Sequence, residues 1–155
     1  LSSSSAASDV YKRQGRNGGN AASRRGSIAM AATILVADDS ATMRMIVQAT
    51  LTGAGWKVLT AGNGQEALEM AKRHPVDLVV SDWNMPVMGG LELIQGLREQ
   101  DQYLDVPVLV LTTEDDVDSK MAARDLGVCG WLSKPVDPDV LVELASELLD
   151  EQSGA

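Results

Sequence analysis

The chain has 155 residues of which 45 % are hydrophobic, enough for one ordinary domain and too few for two substantial ones. Its formal charge of -9 is uneven: five basic residues (Lys12, Arg13, Arg16, Arg24, Arg25) and one acid (Asp9) precede Met30, so the remainder carries eight basic against twenty-one acidic residues, a formal -13. Such a surface argues against contacts with a nucleic-acid backbone, which need clustered Lys and Arg, and favours cations and basic partner surfaces. The single cysteine, Cys129, excludes a disulfide framework or a cysteine metal site, and no apolar run approaches the roughly 18 residues of a membrane span, so no membrane insertion and a reducing, cytoplasmic location are expected.

Residues Leu1 to Ala29 are rich in Ser, Ala, Gly and Arg without helical or strand periodicity, and are expected to be a disordered leader. They lack the apolar centre of a secretory signal. The stretch Ser5-Ala6-Ala7-Ser8-Asp9-Val10-Tyr11-Lys12-Arg13-Gln14 reads as translated vector or adapter sequence, with Met30 as the natural start and residues 30–155 as the domain.

From Thr33 short apolar runs alternate with amphipathic stretches. Ile34 to Ala37 reads as a buried strand; Ser40 to Leu51 reads as a helix capped by Ser40, with Met43, Ile46, Val47, Thr50 and Leu51 at helical spacing, ended by Gly53-Ala54-Gly55. Strands are then expected over Trp56–Thr60, Leu78–Ser81, Val106–Leu111 and Cys129–Leu132, and helices over Gly64–Arg73, Leu91–Glu99, Asp116–Leu126 and Val140–Leu149. Gly62-Asn63-Gly64 reads as a turn, His74 as an exposed helix end, Cys129 as a buried hydrophobe, and Met43, Met70 and Met121 as packing residues. Continuous apolar strands separated by helices long enough to cross over imply a doubly wound α/β domain, a parallel sheet covered on both faces.

In such a sheet the carboxyl ends of the strands share one edge. The first strand ends in Asp38-Asp39, the third in Asp82 followed by Trp83-Asn84-Met85-Pro86, the fourth in Thr112-Thr113, and the fifth in Ser133-Lys134-Pro135. Two carboxylates about 4 Å apart repel by roughly 4 kcal/mol at an effective dielectric of 20, so three clustered acids call for a cation. Oxygen ligands without His or Cys point to magnesium. A carboxylate beside such a cation can attack phosphorus, with Lys134 and Thr112 holding the oxygens where charge accumulates. The constellation reads as a phosphoryl-accepting site.

These residues, in this order and spacing from Thr33 to Leu149, resemble the receiver domain of bacterial response regulators, most of all the single-domain, CheY-like chemotaxis type. The resemblance implies a five-stranded flavodoxin-like sheet of order 2-1-3-4-5. It further implies that Asp82 accepts a phosphoryl group from a sensor histidine kinase or a small phosphodonor. Magnesium would be held by Asp39, Asp82 and the main-chain carbonyl of Asn84, with Asp38 acting largely through water, and Lys134 would pair with the phosphoryl oxygens ahead of a cis Lys134–Pro135 peptide. Thr112 would move toward the phosphoryl group and let Trp131 swing inward, changing a face over residues 116–149 that binds an effector protein. Asn84 and Glu114 would tune the loss of the phosphoryl group, with help from a phosphatase.

Trp131 stands where Tyr or Phe is usual, Gly89 where Asp is common, and Val136 where Phe is usual; Phe is absent altogether. Two other functions fit the sequence less well. A magnesium-dependent phosphohydrolase with an aspartyl nucleophile needs an acid two residues after the nucleophile, where this chain has Asn84. The other is a receiver detached from a larger hybrid kinase or regulator.

Overall fold

The computed structural model describes residues 8–10, 32–113 and 117–152. Five strands, β1 (Thr33–Ala37), β2 (Lys57–Ala61), β3 (Leu78–Asp82), β4 (Val108–Thr112) and β5 (Gly130–Ser133), alternate with five helices, α1 (Ala41–Gly53), α2 (Gly64–Arg73), α3 (Gly90–Arg98), α4 (Val117–Asp125) and α5 (Pro138–Gln152). The five strands pair in parallel in the order β2-β1-β3-β4-β5, as the resemblance implies. Each predicted element is present, with ends displaced by at most two residues, the usual ambiguity of frayed termini, except that α5 runs three residues past the expected Leu149.

Strand residues alternate between two apolar layers, because successive side chains of a strand point to opposite faces. Leu35, Ala37, Val79, Val108, Val110 and Trp131 meet Ala67, Ala71, Leu93, Ile94, Leu97 and Ala123 of α2, α3 and α4. Ile34, Val36, Leu78, Val80, Leu109, Leu111 and Leu132 meet Val47, Leu51, Leu141, Ala145 and Leu148 of α1 and α5. With both faces covered, the central strands read as unbroken apolar runs.

The helix ends follow local chemistry. Ser40 caps α1 by accepting the Met43 N–H at 3.2 Å, and Asn63 caps α2 by accepting the Glu66 N–H at 2.8 Å. Gly55, at φ +104°, turns the chain out of α1 into β2. His74 is the exposed cap that ends α2, and Cys129 is fully buried.

Three details differ from the sequence reading. Ile46 is 44 % exposed, because α1 turns Met43, Val47 and Leu51 toward the sheet and leaves Ile46 on its flank. Met121 is 58 % exposed rather than packed, since Ala123 is the α4 residue that enters the core. Within the expected leader, Ser8–Val10 pairs antiparallel with β5, Asp9 opposite Trp131. The outer edge of β5 has unpaired backbone groups that any extended segment can satisfy.

The loop between β3 and α3 is pinned by close backbone contacts. Gly90 donates its N–H to the Trp83 carbonyl at 2.8 Å, and Gly64 donates to the Met88 carbonyl at 2.8 Å. Between them the Met88 N–H reaches back to the Pro86 carbonyl at 2.7 Å, closing a three-residue turn on Val87, whose φ of 69° is uncommon for a β-branched residue. A Cβ at Gly90 would stand 2.5 Å from the Asp82 carbonyl oxygen, which is backbone and cannot yield cheaply. At Gly96 the nearest atom, 2.8 Å away, is the end of the Leu68 side chain. Gly90→Ala is therefore expected to destabilise the fold by about 1–3 kcal/mol in urea unfolding, whereas Gly96→Ala should be near neutral, helped by about 1 kcal/mol of helix propensity.

Candidate functional site

The sheet order reverses between β1 and β3: the chain leaves β1 for β2 on one side and returns to β3 on the other. The crevice at their carboxyl ends is where open α/β sheets hold ligands. Ala37 pairs in register with Ser81, so Asp38 and Asp82 emerge side by side. Asp39 follows on the loop, exposed, while Asp38 and Asp82 are only 2 % and 7 % exposed. A carboxylate oxygen from each of Asp38, Asp39 and Asp82 lies within 4.8 Å of the others.

Lys134, just past β5, spans β4 to reach this pair. Its Nζ donates to Asp38 Oδ2 at 2.8 Å and to Asp82 Oδ2 at 3.1 Å. Its own N–H is anchored to the Thr112 carbonyl at 3.0 Å, and the Lys134–Pro135 peptide is cis. The remaining carboxylate oxygens are held by main-chain donors, Asp38 Oδ1 by the Ser40 N–H at 2.9 Å and Asp82 Oδ1 by the Trp83 N–H at 2.7 Å. The Ser81 hydroxyl donates to the Asp82 carbonyl at 2.8 Å.

Burial pushes the Asp82 carboxyl above its ordinary value of 3.8; Lys134 and the Trp83 N–H oppose this, while the charge of Asp38 adds to it. For Lys134 burial acts downward, but hydrogen bonds and charge from Asp38 and Asp82 outweigh it and hold the ammonium above 10.5. Lys134 is thus a cation throughout the neutral range. One ammonium among three carboxylates leaves two negative charges when all are ionised, the balance a divalent cation meets with an all-oxygen donor set.

The other expected residues fall as follows. Thr112 is buried at the end of β4, beside Ser133 in register, while Thr113 is exposed. Asn84 is exposed on the loop after Asp82. Trp131 lies inward, 1 % exposed, with its ring centroid 5.3 Å from that of Trp83 at a 53° tilt and the Lys120 ammonium 6.0 Å from its ring. Glu114 lies outside the described residues.

Sequence reasoning did not single out the main-chain donors of Ser40 and Trp83, nor Arg44, whose Nη1 donates to the Asp38 carbonyl at 2.6 Å. Backbone donors carry no residue signature. Arg44 had one faint signal: a cation in the first turn of a helix opposes the helix dipole.

The response regulator receiver domain model matches residues 34–146, most of the chain. The chain belongs to that family. It is 41 % identical over 123 residues to a chemotaxis protein CheY homolog of Campylobacter jejuni, covering 78 % of this chain and 95 % of that one. It is also 41 % identical to the solved chemotaxis protein CheY4 of Vibrio cholerae, covering 76 % of this chain and 98 % of that one with a TM-score of 0.72. The fold recurs, at 24 % identity and a TM-score of 0.68, in a CheX-CheY-BeF3-Mg complex of Borrelia burgdorferi, over 76 % of this chain and 88 % of that one. The receiver is thus CheY-like, of the phosphoacceptor-switch kind rather than a classical enzyme, and no helix among its described residues is long and apolar enough to cross a membrane.

The direction of the Asp82 shift has a consequence for stability without metal. A carboxyl held above its unfolded value binds its proton more tightly in the fold, so ionising it lowers stability as pH rises from 3.8 through the folded value. Asp82→Asn is expected to melt at a higher temperature than the parent chain at pH 7 in metal-free buffer. The two melting temperatures should converge at pH 3.8 and below.

Proposed function

We propose that this receiver accepts a phosphoryl group on Asp82 from the phosphohistidine of a sensor histidine kinase, or from a small phosphodonor, and thereby changes a protein-binding face. The observation that carries this reading is the clustering of the Asp38, Asp39 and Asp82 oxygens within 4.8 Å, bridged in part by the Lys134 ammonium. An Asp82 carboxylate oxygen forms the new O–P bond as the P–N bond of the donor breaks, and the donor imidazole keeps the electron pair. Asp39, Asp82 and the main-chain carbonyl of Asn84 would hold magnesium, with Asp38 acting largely through water. That ion supplies charge neutralisation for the transferring oxygens.

Lys134 already donates to Asp82 Oδ2, so a short shift carries its ammonium from the carboxylate to a phosphoryl oxygen. Thr112, buried at the neighbouring strand end, is the hydroxyl assigned to another of those oxygens. Trp131 packs on Trp83, the residue after the acceptor, so a change at Asp82 reaches β5 through one ring contact. The face over residues 116–149, built on α4, β5 and α5, would pass this to an effector protein. Asn84 and Glu114 are assigned to tuning dephosphorylation, in which a phosphatase would assist.

The receiver unit is assigned to residues 30–155, with 1–29 as an adapter-derived leader, on the composition of that segment. A cytoplasmic location follows from the phosphohistidine donor. The phosphohydrolase reading is disfavoured, because the residue two past Asp82 is Asn84, which has no acidic proton to give a leaving group.

Tryptophan fluorescence tests the proposal. Magnesium should change the emission of the intact chain, and acetyl phosphate or beryllofluoride should change it again, because Trp83 adjoins Asp82 and packs on Trp131. Asp82→Asn should lose the second change entirely. A second change that survives in Asp82→Asn, or no response of the parent chain to either addition, would overturn the proposal.

A further inference from the structure

We propose that Arg44 is a positioning residue for the ion site, holding the Asp38–Asp39 peptide in the orientation that presents the Asp39 carboxylate to a divalent cation. This rests on the magnesium reading above. Asp38 is tied at every polar group: its N–H donates to the Ala61 carbonyl at 3.1 Å, its two carboxylate oxygens accept from Ser40 and Lys134, and its carbonyl accepts from Arg44 Nη1 at 2.6 Å. Asp82 is held by Lys134 and the Trp83 N–H. Asp39 is different. Its carboxylate is exposed and makes no hydrogen bond or ion pair among the described residues, yet it completes the cluster.

The direction of an unsupported side chain is set by its backbone. Asp39 is the middle residue of a turn that the Ser40 N–H closes onto Asp38 Oδ1, and the peptide entering Asp39 has its carbonyl clamped by Arg44. The clamp is rigid. Arg44 makes the first helical hydrogen bond of α1, its N–H on the Ser40 carbonyl at 2.9 Å, and its side chain is half-buried. The guanidinium lies over Gly62, where a Cβ would stand 3.5 Å from Nη1 and 4.0 Å from Cζ.

Two local rules are broken at this position. A cation in the first turn of a helix opposes the dipole, and a cation near an ion site repels the ion. Such conflicts are expected where geometry is being secured for a site. They also make the proposal testable by sign. If Arg44 acted by charge alone, removing it would tighten magnesium binding; if it acts by position, removing it loosens binding even though a repulsive charge has gone.

The experiment is a magnesium titration of the intact chain, Arg44→Met and Arg44→Lys, followed by tryptophan emission, with the melting temperature of each metal-free protein as a control. Arg44→Met is expected to raise the magnesium Kd about 10-fold or more, the usual effect of losing a residue that orients a ligand. Arg44→Lys, which keeps the charge and a donor but not the planar fork, should fall between it and the parent. A Kd for Arg44→Met equal to or below the parent's overturns the proposal. Should Arg44→Met fail to fold, Arg44→Lys decides alone, a raised Kd supporting the proposal and an unchanged one overturning it. A parent chain without any magnesium response overturns the ion-site reading and this proposal with it, whereas a parent response that Arg44→Met fully retains overturns this proposal only.

Discussion

Like charges held together at the end of an apolar sheet repel, and the site is organised around the ammonium that offsets part of that repulsion. Lys134 donates to both Asp38 and Asp82 while its backbone is tied to Thr112, so one residue joins the ends of β1, β3, β4 and β5. It leaves a residual charge of about two units when all three acids are ionised. That residual charge suits the crevice to a cation, and Asp82 is pulled two ways, since burial raises its carboxyl while Lys134 draws it back.

The sheet makes this possible through its order. Because β1 and β3 are neighbours although β2 lies between them in sequence, two acids 44 residues apart leave the sheet side by side. The two apolar layers then fix strand register, since a slip of one residue would turn every core side chain to the wrong face. Gly90 allows α3 to start against the Asp82 carbonyl, so β3 and the helix that follows it share one tight corner. Packing, loop and charge therefore act on the same few atoms.

The contact between Trp83 and Trp131 ties the loop after β3 to β5, across the intervening β4. A Tyr or Phe at position 131 would offer less ring area to Trp83. The indole of Trp131 is inward and covered, packed on Trp83. The Lys120 ammonium near the same ring brings α4 into the contact. α4, β5 and the loop after Asp82 thus meet around one side chain.

Much of this was legible in the chain itself. Unbroken apolar runs such as Val108–Leu111, separated by amphipathic stretches, require buried parallel strands and crossover helices. The residues that close those runs, Asp38, Asp39, Asp82, Thr112 and Lys134, are then carried to one edge by strand direction alone. Sequence periodicity is less informative where a residue sits at the margin of a stripe, which is why Ile46 and Met121 read as core and lie outside it. What only the tertiary structure decided is who holds whom. Backbone donors such as the Ser40 and Trp83 N–H groups have no residue code, the Arg44 side chain reaches back from α1 past Gly62 to the Asp38 carbonyl, and the Trp83–Trp131 contact joins the end of β3 to β5 across β4. Local pattern determines which elements form and what each carries at its end, because it acts along the chain; contacts between elements depend on distances across the fold, which no local pattern encodes.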